Sequence, residues 1–509
     1  MDMTPVLIGV GEDFDATPAD PACGKSNVDL AVNAALAAIG DAGGRGVARA
    51  IDALVAVRTY PDSTPFWPHP IVPAKNFPRA LARRLGIAPA RAFYELVGGQ
   101  SPQRLAGEFA GRLARGEFSA VLIAGGEAIA TEKAAQRAGV TLDWSDEAEG
   151  EVEDRGLDVS GLLTAVEIEN DLVEIGAIYA LFENARRARL GLSREAYARD
   201  MGALFAPFSD IAARRMGALQ RRALSASDIA ATLDANPMMF EPLSKAVIAK
   251  DGVNMGAALL MTTAGRARAL GVAEDRWIYL HGHCDLAERP ILERPDLGGS
   301  PAMCSAYRTA MARAGVGADA IAHIDTYSCF PIAVFLAREA MGIAPDDPRP
   351  LTMTGGLPFF GGPGNNYSMH ALAAMARALR EDRAGFGLVG ANGGFLTKHA
   401  VGVYSATAPQ QPWRPADDAA LQSALDDASP APWVAQAKGE AVVETYTVAW
   451  RRGAPVRAHA VARLKGSGVR CLAVTEAGDC AVASQMAQSD PLGATIRVAP
   501  ADRGNRFTF

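Results

Sequence analysis

Short apolar runs alternate with segments of helical apolar spacing over the first 127 residues of the chain. Four of these runs predict buried strands: Pro5–Val10, Ile51–Val57, Arg91–Val97 and Ala120–Ala124. Leu105, Phe109 and Leu113 recur at the spacing of one helix face between the last two runs. Strands that alternate with helices favour parallel pairing, with helices on both faces of the sheet. We expect Gly125 and Gly126 to end the fourth strand.

The same order of elements returns in the second half of the chain. Five further apolar runs predict strands: Asn254–Thr262, Trp277–His281, Ala322–Thr326, Phe386–Ala391 and His399–Tyr404. Helical patterns lie between them, one of them starting at Pro331. The repeated order indicates an α/β fold made of two duplicated halves. The alternation is interrupted between them, which predicts an insertion at the sheet edge where open α/β sheets bind ligands.

The composition changes after Ser405, where a proline-rich segment predicts a linker. Short strand patterns separated by glycine turns begin at Ala441 and predict a small barrel or sandwich. We therefore divide the chain into five parts: 1–127 with 236–270 as the N-terminal half, 128–235 as the inserted loop domain, 271–406 as the C-terminal half, 407–436 as the linker and 437–509 as the β domain.

Composition narrows the class of protein. The formal net charge of −7 gives no reason to expect nucleic-acid binding. No apolar run is long enough to span a membrane, and the first residues do not resemble a signal peptide. None of the six cysteines forms a CxxC pair. We expect a cytoplasmic protein with reduced thiols.

The two strand-to-helix junctions carry the first candidate chemistry. Ser101 follows the third strand of the first half, and its position before Pro102 is typical of a helix N-cap; a catalytic serine is the alternative. Cys329 takes the corresponding position in the second half, beside Tyr327. A helix N-terminus lowers the pKa of a thiol, whereas a buried core cysteine is inert. Tyr327 could donate or accept a proton.

The stretch Thr354–His370 contains five glycines and two prolines and leads into a helix. Glycine allows a close approach of the backbone, and the helix N-terminus offers free N–H groups to an anion or oxyanion. His370 and His399 each lie beside a glycine-rich turn, where a lone histidine is either structural or catalytic.

Three clusters of charged or potentially metal-binding residues have a structural interpretation beside a functional one. His281, His283 and Cys284 lack a further ligand set, so we predict no metal site. The acidic run 146–154 is typical of a solvated loop. The arginines at 214, 215, 221 and 222 form either a solvated face or, in a lid, a contact to a phosphorylated ligand.

Four segments resemble the thiolase superfamily: Ala124–Glu127, Asp325–Phe330, the glycine-rich stretch and Ala391–Gly394. They are most similar to the sterol-carrier-protein type of thiolase and to bacterial thiolase-like proteins labelled acetyl-CoA acetyltransferases. The C-terminal β segment resembles the OB-like domain fused to those proteins. The resemblance implies a duplicated, layered αβαβα thiolase fold and a homodimer. It also implies coenzyme A (CoA) esters as substrate or ligand, with no covalently bound cofactor.

The residues of thiolase chemistry are altered. The position of the nucleophilic cysteine falls on Gly99 or Gln100, and Gly362 replaces the histidine of the glycine–histidine–proline motif. The late cysteine position falls on Ala391 or Asn392. The resemblance and the junctions together select Cys329, Tyr327, His370 and His399 as catalytic candidates, and Gly362, Asn365, Asn392, Gly393, Gly99 and Gln100 as substrate- or oxyanion-binding candidates.

Three functions remain open. The first is an acyl-CoA acyltransferase in which Cys329, His370 or His399 transfers protons and no covalent acyl-enzyme forms. The second is a carbon–carbon lyase acting on 3-hydroxyacyl-CoA, because some thiolase-like aldolases use tyrosines; Tyr327 and Tyr367 are the candidates. The third is an acyl-CoA-binding protein without catalytic activity.

Overall fold

The computed structural model describes residues 2–43, 45–158 and 162–509, with only the backbone of Arg45. Residues 159–161 of the predicted insertion lie outside the described residues. Up to residue 269 the helices and strands are, in chain order, β1 Pro5–Asp15, α1 Asn27–Asp41, α2 Arg45–Ala48, β2 Ala53–Ala56, α3 Tyr60–Ser63, β3 Ile71–Val72, α4 Phe77–Leu85, β4 Arg91–Tyr94, α5 Ser101–Ala114, β5 Ala120–Ala128, α6 Ile129–Ala138, β6 Leu142–Asp143, β7 Glu153–Asp154, α7 Ala165–Glu169, α8 Ile175–Arg189, α9 Arg194–Arg214, α10 Ala226–Ala230, β8 Met238–Phe240, β9 Leu243–Ser244, β10 Asn254–Thr263 and α11 Ala264–Ala269.

The rest of the chain contains the second half and the C-terminal region. Its elements are β11 Ile278–Ala287, α12 Pro301–Ala314, β12 Ile321–Thr326, α13 Pro331–Met341, α14 Tyr367–Glu381, β13 Phe386–Gly393, β14 Lys398–Ser405, α15 Ala419–Asp427, β15 Gly439–Arg451, β16 Ala454–Leu464, β17 Arg470–Val474, α16 Cys480–Ser489, β18 Thr495–Pro500 and β19 Asn505–Thr508.

The main sheet has the strand order β12-β13-β14-β11-β1-β10-β5-β2-β4-β7. In the first half β2 runs parallel to β4 and β5, and in the second half β12 runs parallel to β13. The halves join where β1 pairs with β11 over Val6 and Leu7. The duplicated α/β fold predicted from the alternating pattern is confirmed.

Helices α5 and α14 form the middle layer, because they contact each other and strands of both halves. Helices α1 and α4 pack on the strands of the first half, and α12 packs on β11 and β14 of the second. This is the layered αβαβα arrangement expected from the sequence. It brings the helix starts that follow β4 and β12 towards the centre of the molecule.

The C-terminal region folds into a barrel of five strands in the order β15-β16-β17-β19-β18, which the pairing of β18 with β15 closes. The predicted small barrel is therefore confirmed, although the sequence pattern did not predict α16, β18 and β19. The hairpin β8–β9 extends the same sheet, since Phe240 pairs with Ala449. Residues 238–244 thus join the barrel, whereas the sequence assigned 236–270 to the first half.

The fourth strand continues through Gly125 and Gly126, so the prediction that these glycines end it is wrong. Both face neighbours that leave no room for a side chain. A Cβ at Gly126 would overlap the Asn27 carbonyl oxygen of α1, and one at Gly125 would lie 2.6 Å from Asn366 Oδ1. Glycine is required here by close packing within the strand, not by a turn.

Two further predictions differ from the structure: the N-cap role of Ser101 and the solvated loop at 146–154. Helix α5 begins at Ser101, whose hydroxyl donates to the Leu96 carbonyl; the preceding residue makes no side-chain cap, so the predicted N-cap role is wrong. In the acidic run, Asp146 is buried and ion-paired to Arg83 at 2.5 Å. Strand β7, at the end of the same run, pairs with β4. Within the described ranges, no helix has the length and apolar character needed to cross a membrane.

Candidate active site

The two strand-to-helix junctions meet in the middle of the molecule. A Cβ added to Gly99, after β4, would overlap the hydroxyl oxygen of Tyr327, after β12, and would lie 2.8 Å from the Asn392 carbonyl oxygen. The structure thus brings together three candidates from distant parts of the sequence. We call Gly99, Gln100, Tyr327, Cys329, Asn392 and Gly393 the junction site.

Polar side chains of β13 and α8 surround Cys329. Its Sγ lies 3.8 Å from Asn392 Oδ1. The Tyr179 hydroxyl shares its one proton between the Gly394 carbonyl oxygen, at 3.1 Å, and Asn392 Oδ1, at 3.4 Å. The Tyr179 ring stacks on Phe330 with 4.1 Å between ring centroids. Tyr179 is not among the residues predicted from the sequence, because α8 of the insertion reaches the junction only through tertiary packing.

Burial changes the expected chemistry of Cys329. Desolvation raises the pKa of its thiol to about 12, and the hydrogen bonds with Tyr179 and Asn392 only partly oppose this. The lowered pKa expected from the neighbouring helix N-terminus is therefore not found. A thiol in this state is a poor nucleophile at neutral pH, because the thiolate is the reactive form.

Tyr327 and Cys329 are both buried, although less completely than the residues beside them. Each keeps 8% of its surface exposed, whereas Thr326 and Ser328 beside them are fully buried. Burial also raises the pKa of Tyr327 well above its ordinary value, so its hydroxyl is neutral near pH 7. Burial therefore keeps both side chains that could react neutral and shielded from bulk water.

Several polar atoms of the junction site lack partners among the described residues. Asn392 Nδ2 and Gln100 Oε1 are buried with no hydrogen bond. A Cβ at Gly393 would overlap Gln100 Oε1, so this glycine makes room for the glutamine. Unpaired buried groups are costly, and a polar ligand at the junction site would satisfy the Asn392 donor and the Gln100 acceptor.

The glycine-rich stretch supports the first junction. Asn365 Oδ1 accepts from Gly98 N at 3.0 Å, and Asn365 Nδ2 donates to the Arg58 carbonyl and to Ser63 Oγ at 2.8 Å. Gly362 N donates to the Lys250 carbonyl at 2.7 Å. Asn365 therefore fixes the backbone beside Gly99, while Gly362 packs against the segment that precedes β10.

The two candidate histidines have other partners. His370 Nδ1 lies 2.7 Å from Glu12 Oε1, and its ring packs between Phe14 and Phe360. His399 Nε2 lies 3.3 Å from Ser300 Oγ, and burial lowers the pKa of His399 to about 4. Neither histidine hydrogen-bonds Tyr327 or Cys329, although His399 lies opposite Asn392 in the pairing of β13 with β14.

The Tyr367 ring packs against Tyr327, but the Tyr367 hydroxyl does not lie beside Gly99. Its ring meets the Tyr327 ring edge to face at 5.3 Å. Its hydroxyl lies 2.7 Å from Thr354 Oγ1 and donates to Asp325 Oδ1 at 3.2 Å. Burial raises the pKa of Asp325 to about 6. The hydroxyl of Tyr367 is thus engaged in a separate buried network.

The remaining clusters lie elsewhere. His281 Nε2 is 2.8 Å from the Thr407 carbonyl, and His283 stacks on Trp413 in the linker. Among the described residues, no group of three or more His, Cys, Asp or Glu side chains is arranged to hold a metal ion. In the basic cluster, Arg215 is paired to Glu12 at 2.9 Å and so is not free for a phosphate.

The layered, duplicated fold with a site at the carboxyl ends of β4, β12 and β13 is that of the thiolase superfamily. The human mitochondrial 3-ketoacyl-CoA thiolase has this fold, with 13% identity, 80% of this chain and 100% of that chain covered, and a TM-score of 0.56. The Ltp2-ChsH2(DUF35) aldolase matches with 19% identity, 81% and 99% coverage, and a TM-score of 0.60. At these identities the likeness shows the fold alone.

A closer relative identifies the family. The SCP2-thiolase like protein type 1 from Mycobacterium smegmatis, described as monomeric, is 38% identical, with 100% of this chain and 99% of that chain covered and a TM-score of 0.84. The family model for the thiolase-like protein type 1 additional C-terminal domain matches residues 420–503. None of the curated proteins compared with the chain matches it. The chain belongs to the SCP2-thiolase-like proteins of type 1.

Proposed function

We propose that this protein binds a CoA thioester at the junction site and cleaves a carbon–carbon bond of a 3-hydroxyacyl group, as a retro-aldolase without an acyl-enzyme. The observation that carries the proposal is the Tyr327 hydroxyl, which fills the space that a side chain at position 99 would need. An acid/base group thus stands where the resemblance expects a nucleophile. The human thiolase with this fold has been solved in complex with CoA.

The unpaired groups fit the atoms of such a substrate. Asn392 Nδ2 would donate to the thioester oxygen and stabilise the enolate that forms when the carbon–carbon bond breaks. The bonding electrons pass into the enolate and the 3-hydroxyl becomes a carbonyl. A neutral Tyr327 has both a lone pair and a proton. It can accept the 3-hydroxyl proton while it gives its own to the α-carbon, so no oxidant or reductant is required.

Acyl transfer from acyl-CoA is the second candidate. It is favoured by the Cys329 thiol beside Tyr327. This thiol would give its proton to the CoA thiolate that leaves and take up the α-proton of the acyl group that attacks the other thioester. Direct transfer would again avoid a covalent intermediate at Gly99. Binding of acyl-CoA without turnover is the third outcome. A cytoplasmic location and an OB-type topology for the barrel stay predictions.

The test compares Tyr327→Phe and Cys329→Ala with the unchanged protein on 3-hydroxyacyl-CoA and 3-ketoacyl-CoA esters. We expect retro-aldol cleavage of the hydroxy ester, measured as release of the shorter acyl-CoA. Loss of the hydroxyl in Tyr327→Phe should lower kcat by ~10²–10⁴, the usual contribution of a positioned acid/base group. Cys329→Ala should keep most of this activity.

The opposite pattern would overturn the proposal. Thiolysis of the keto ester that survives in Tyr327→Phe and disappears in Cys329→Ala would support acyl transfer. Measurable binding of both esters without turnover would leave a binding protein. Ser101→Ala serves as the matched control, because its hydroxyl bonds to the Leu96 carbonyl and does not face Tyr327.

A further inference from the structure

Helix α8 separates the junction site from the C-terminal barrel. Tyr179 and Glu183 lie one turn apart and face the start of α13, where Tyr179 stacks on Phe330. The helix also presents the Leu181 carbonyl and Asn184 to the barrel. One helix of the insertion therefore contacts both the site and the additional domain.

The contacts between the barrel and α8 are buried and polar. Thr445 Oγ1 of β15 donates to the Leu181 carbonyl at 2.6 Å, and Asn184 Nδ2 donates to the Tyr446 carbonyl at 2.9 Å. Arg187, 1% exposed, is paired to Asp490 at 2.6 Å. Buried hydrogen bonds of this kind fix a position because leaving either partner unpaired is costly.

At its other face α8 orients the groups of the junction site. Tyr179 donates to Asn392 Oδ1, which identifies the other amide atom of Asn392, Nδ2, as the unpaired donor. Glu183 Oε1 accepts from Ile332 N at 2.7 Å and so holds the first turn of α13, directly after Cys329. A shift of α8 would alter both arrangements together.

We propose that the C-terminal barrel is a positioning element of the junction site, which acts by holding α8 so that Tyr179 keeps Asn392 Nδ2 aimed at the ligand. This role rests on the proposed function only for the identity of the ligand. The coupling between barrel and site depends on the contacts alone. It assigns a task to the additional domain, which otherwise contributes no residue to the junction site.

The test uses Thr445→Val, which removes the hydroxyl bound to Leu181 and keeps the side-chain shape. We expect faster amide hydrogen exchange in residues 175–189 and about tenfold weaker binding of 3-hydroxybutyryl-CoA, measured by calorimetry. Thr445→Ser restores the hydroxyl and should restore both. Thr475→Val is the matched control: Thr475 is also buried in the barrel, but its Oγ1 accepts from Ala458 N within the barrel.

The outcomes distinguish the coupling between barrel and site from the identity of the ligand. Equal effects of Thr445→Val and Thr475→Val on exchange in α8, or no effect of either, would overturn the positioning role. If the unchanged protein binds no CoA ester, the proposed ligand is wrong, and the exchange experiment still decides the coupling. A Thr445→Ser variant that behaves like Thr445→Val would show that shape rather than the hydroxyl bond matters, and would also overturn it.

Discussion

Gly99 and Tyr327 depend on each other at the scale of single residues. The ring of Tyr327 is held edge to face by Tyr367, so its hydroxyl cannot easily leave the space in front of position 99. The Asn392 carbonyl closes the other side of that space. A cysteine at position 99 would therefore meet two fixed neighbours.

Gly99→Ala should destabilise the protein by about 1–3 kcal/mol, because its Cβ overlaps the Tyr327 hydroxyl. In a Tyr327→Ala background the same change should cost at least about 1 kcal/mol less, and urea unfolding of the four proteins measures this coupling. Ser101→Ala in both backgrounds is the control and should show no coupling. Equal costs for Gly99→Ala in both backgrounds would contradict the predicted overlap.

Residues at the ends of strands could be predicted as site candidates from the sequence. Tyr327 and Cys329 were selected in this way, whereas Asn392 was selected because the resemblance places the late cysteine at Ala391 or Asn392. The parallel pairing of β4 with β2 and of β12 with β13 aligns the strand ends within each half. The histidines show the limit of such reasoning. A glycine-rich turn does not fix the direction of a neighbouring side chain, and that of His370 turns to Glu12. Tyr179 was missed because only the folding of the insertion brings it near Cys329.

The start of α13 depends on an acid from another element. Glu183 of α8 is fully buried, accepts from Ile332 N in the first turn of α13 and also accepts from the Tyr197 hydroxyl. Burial raises the pKa of Glu183 to about 7, and these two hydrogen bonds oppose the shift only in part. The helix that follows Cys329 is thus held by a carboxyl group that titrates near neutral pH.

Glu183→Gln should flatten the fall of stability with rising pH. The raised pKa means that the folded state holds the proton more tightly. The proton on Glu183 stabilises the folded state fully below about pH 4.5, and this stabilisation is lost as the pH rises to about 7. The loss is roughly 3 kcal/mol. Urea unfolding across this range measures it, with the exposed Glu169→Gln as control. An unchanged slope in Glu183→Gln would contradict the assignment.

Element types followed from the sequence more closely than element limits. The apolar runs gave the strands of both halves, because buried strands must be apolar. Gly125 and Gly126 were misjudged, since a glycine that admits a packed helix and a glycine that forms a turn look the same in sequence. The hairpin β8–β9 joins the barrel through a pairing with β15 that lies about 200 residues away in the chain, and no local pattern reports such a pairing.

At the scale of the whole molecule, the chain covers one edge of its own sheet. Strand β7, from the acidic run, pairs with β4, and Arg155 N donates to the Tyr94 carbonyl beyond it. Arg155 also pairs with the buried Glu95 at 2.9 Å and with Glu108 at 2.7 Å. An uncovered edge strand invites pairing with another chain. The resemblance implies a homodimer, and β4 offers no free edge for pairing with a second subunit. The similar Mycobacterium smegmatis protein is described as monomeric.

Arg155→Pro should uncover this edge and make the protein associate. Proline removes the N–H that bonds to the Tyr94 carbonyl, and the ion pairs with Glu95 and Glu108 are lost as well. Arg155→Ala is the matched control, because it loses the ion pairs but keeps the N–H. Light scattering over a wide range of protein concentrations should find the unchanged protein and Arg155→Ala monomeric, and Arg155→Pro increasingly dimeric or larger. A stable dimer of the unchanged protein would show that another surface joins the subunits, and a monomeric Arg155→Pro would show that β7 does not protect the edge.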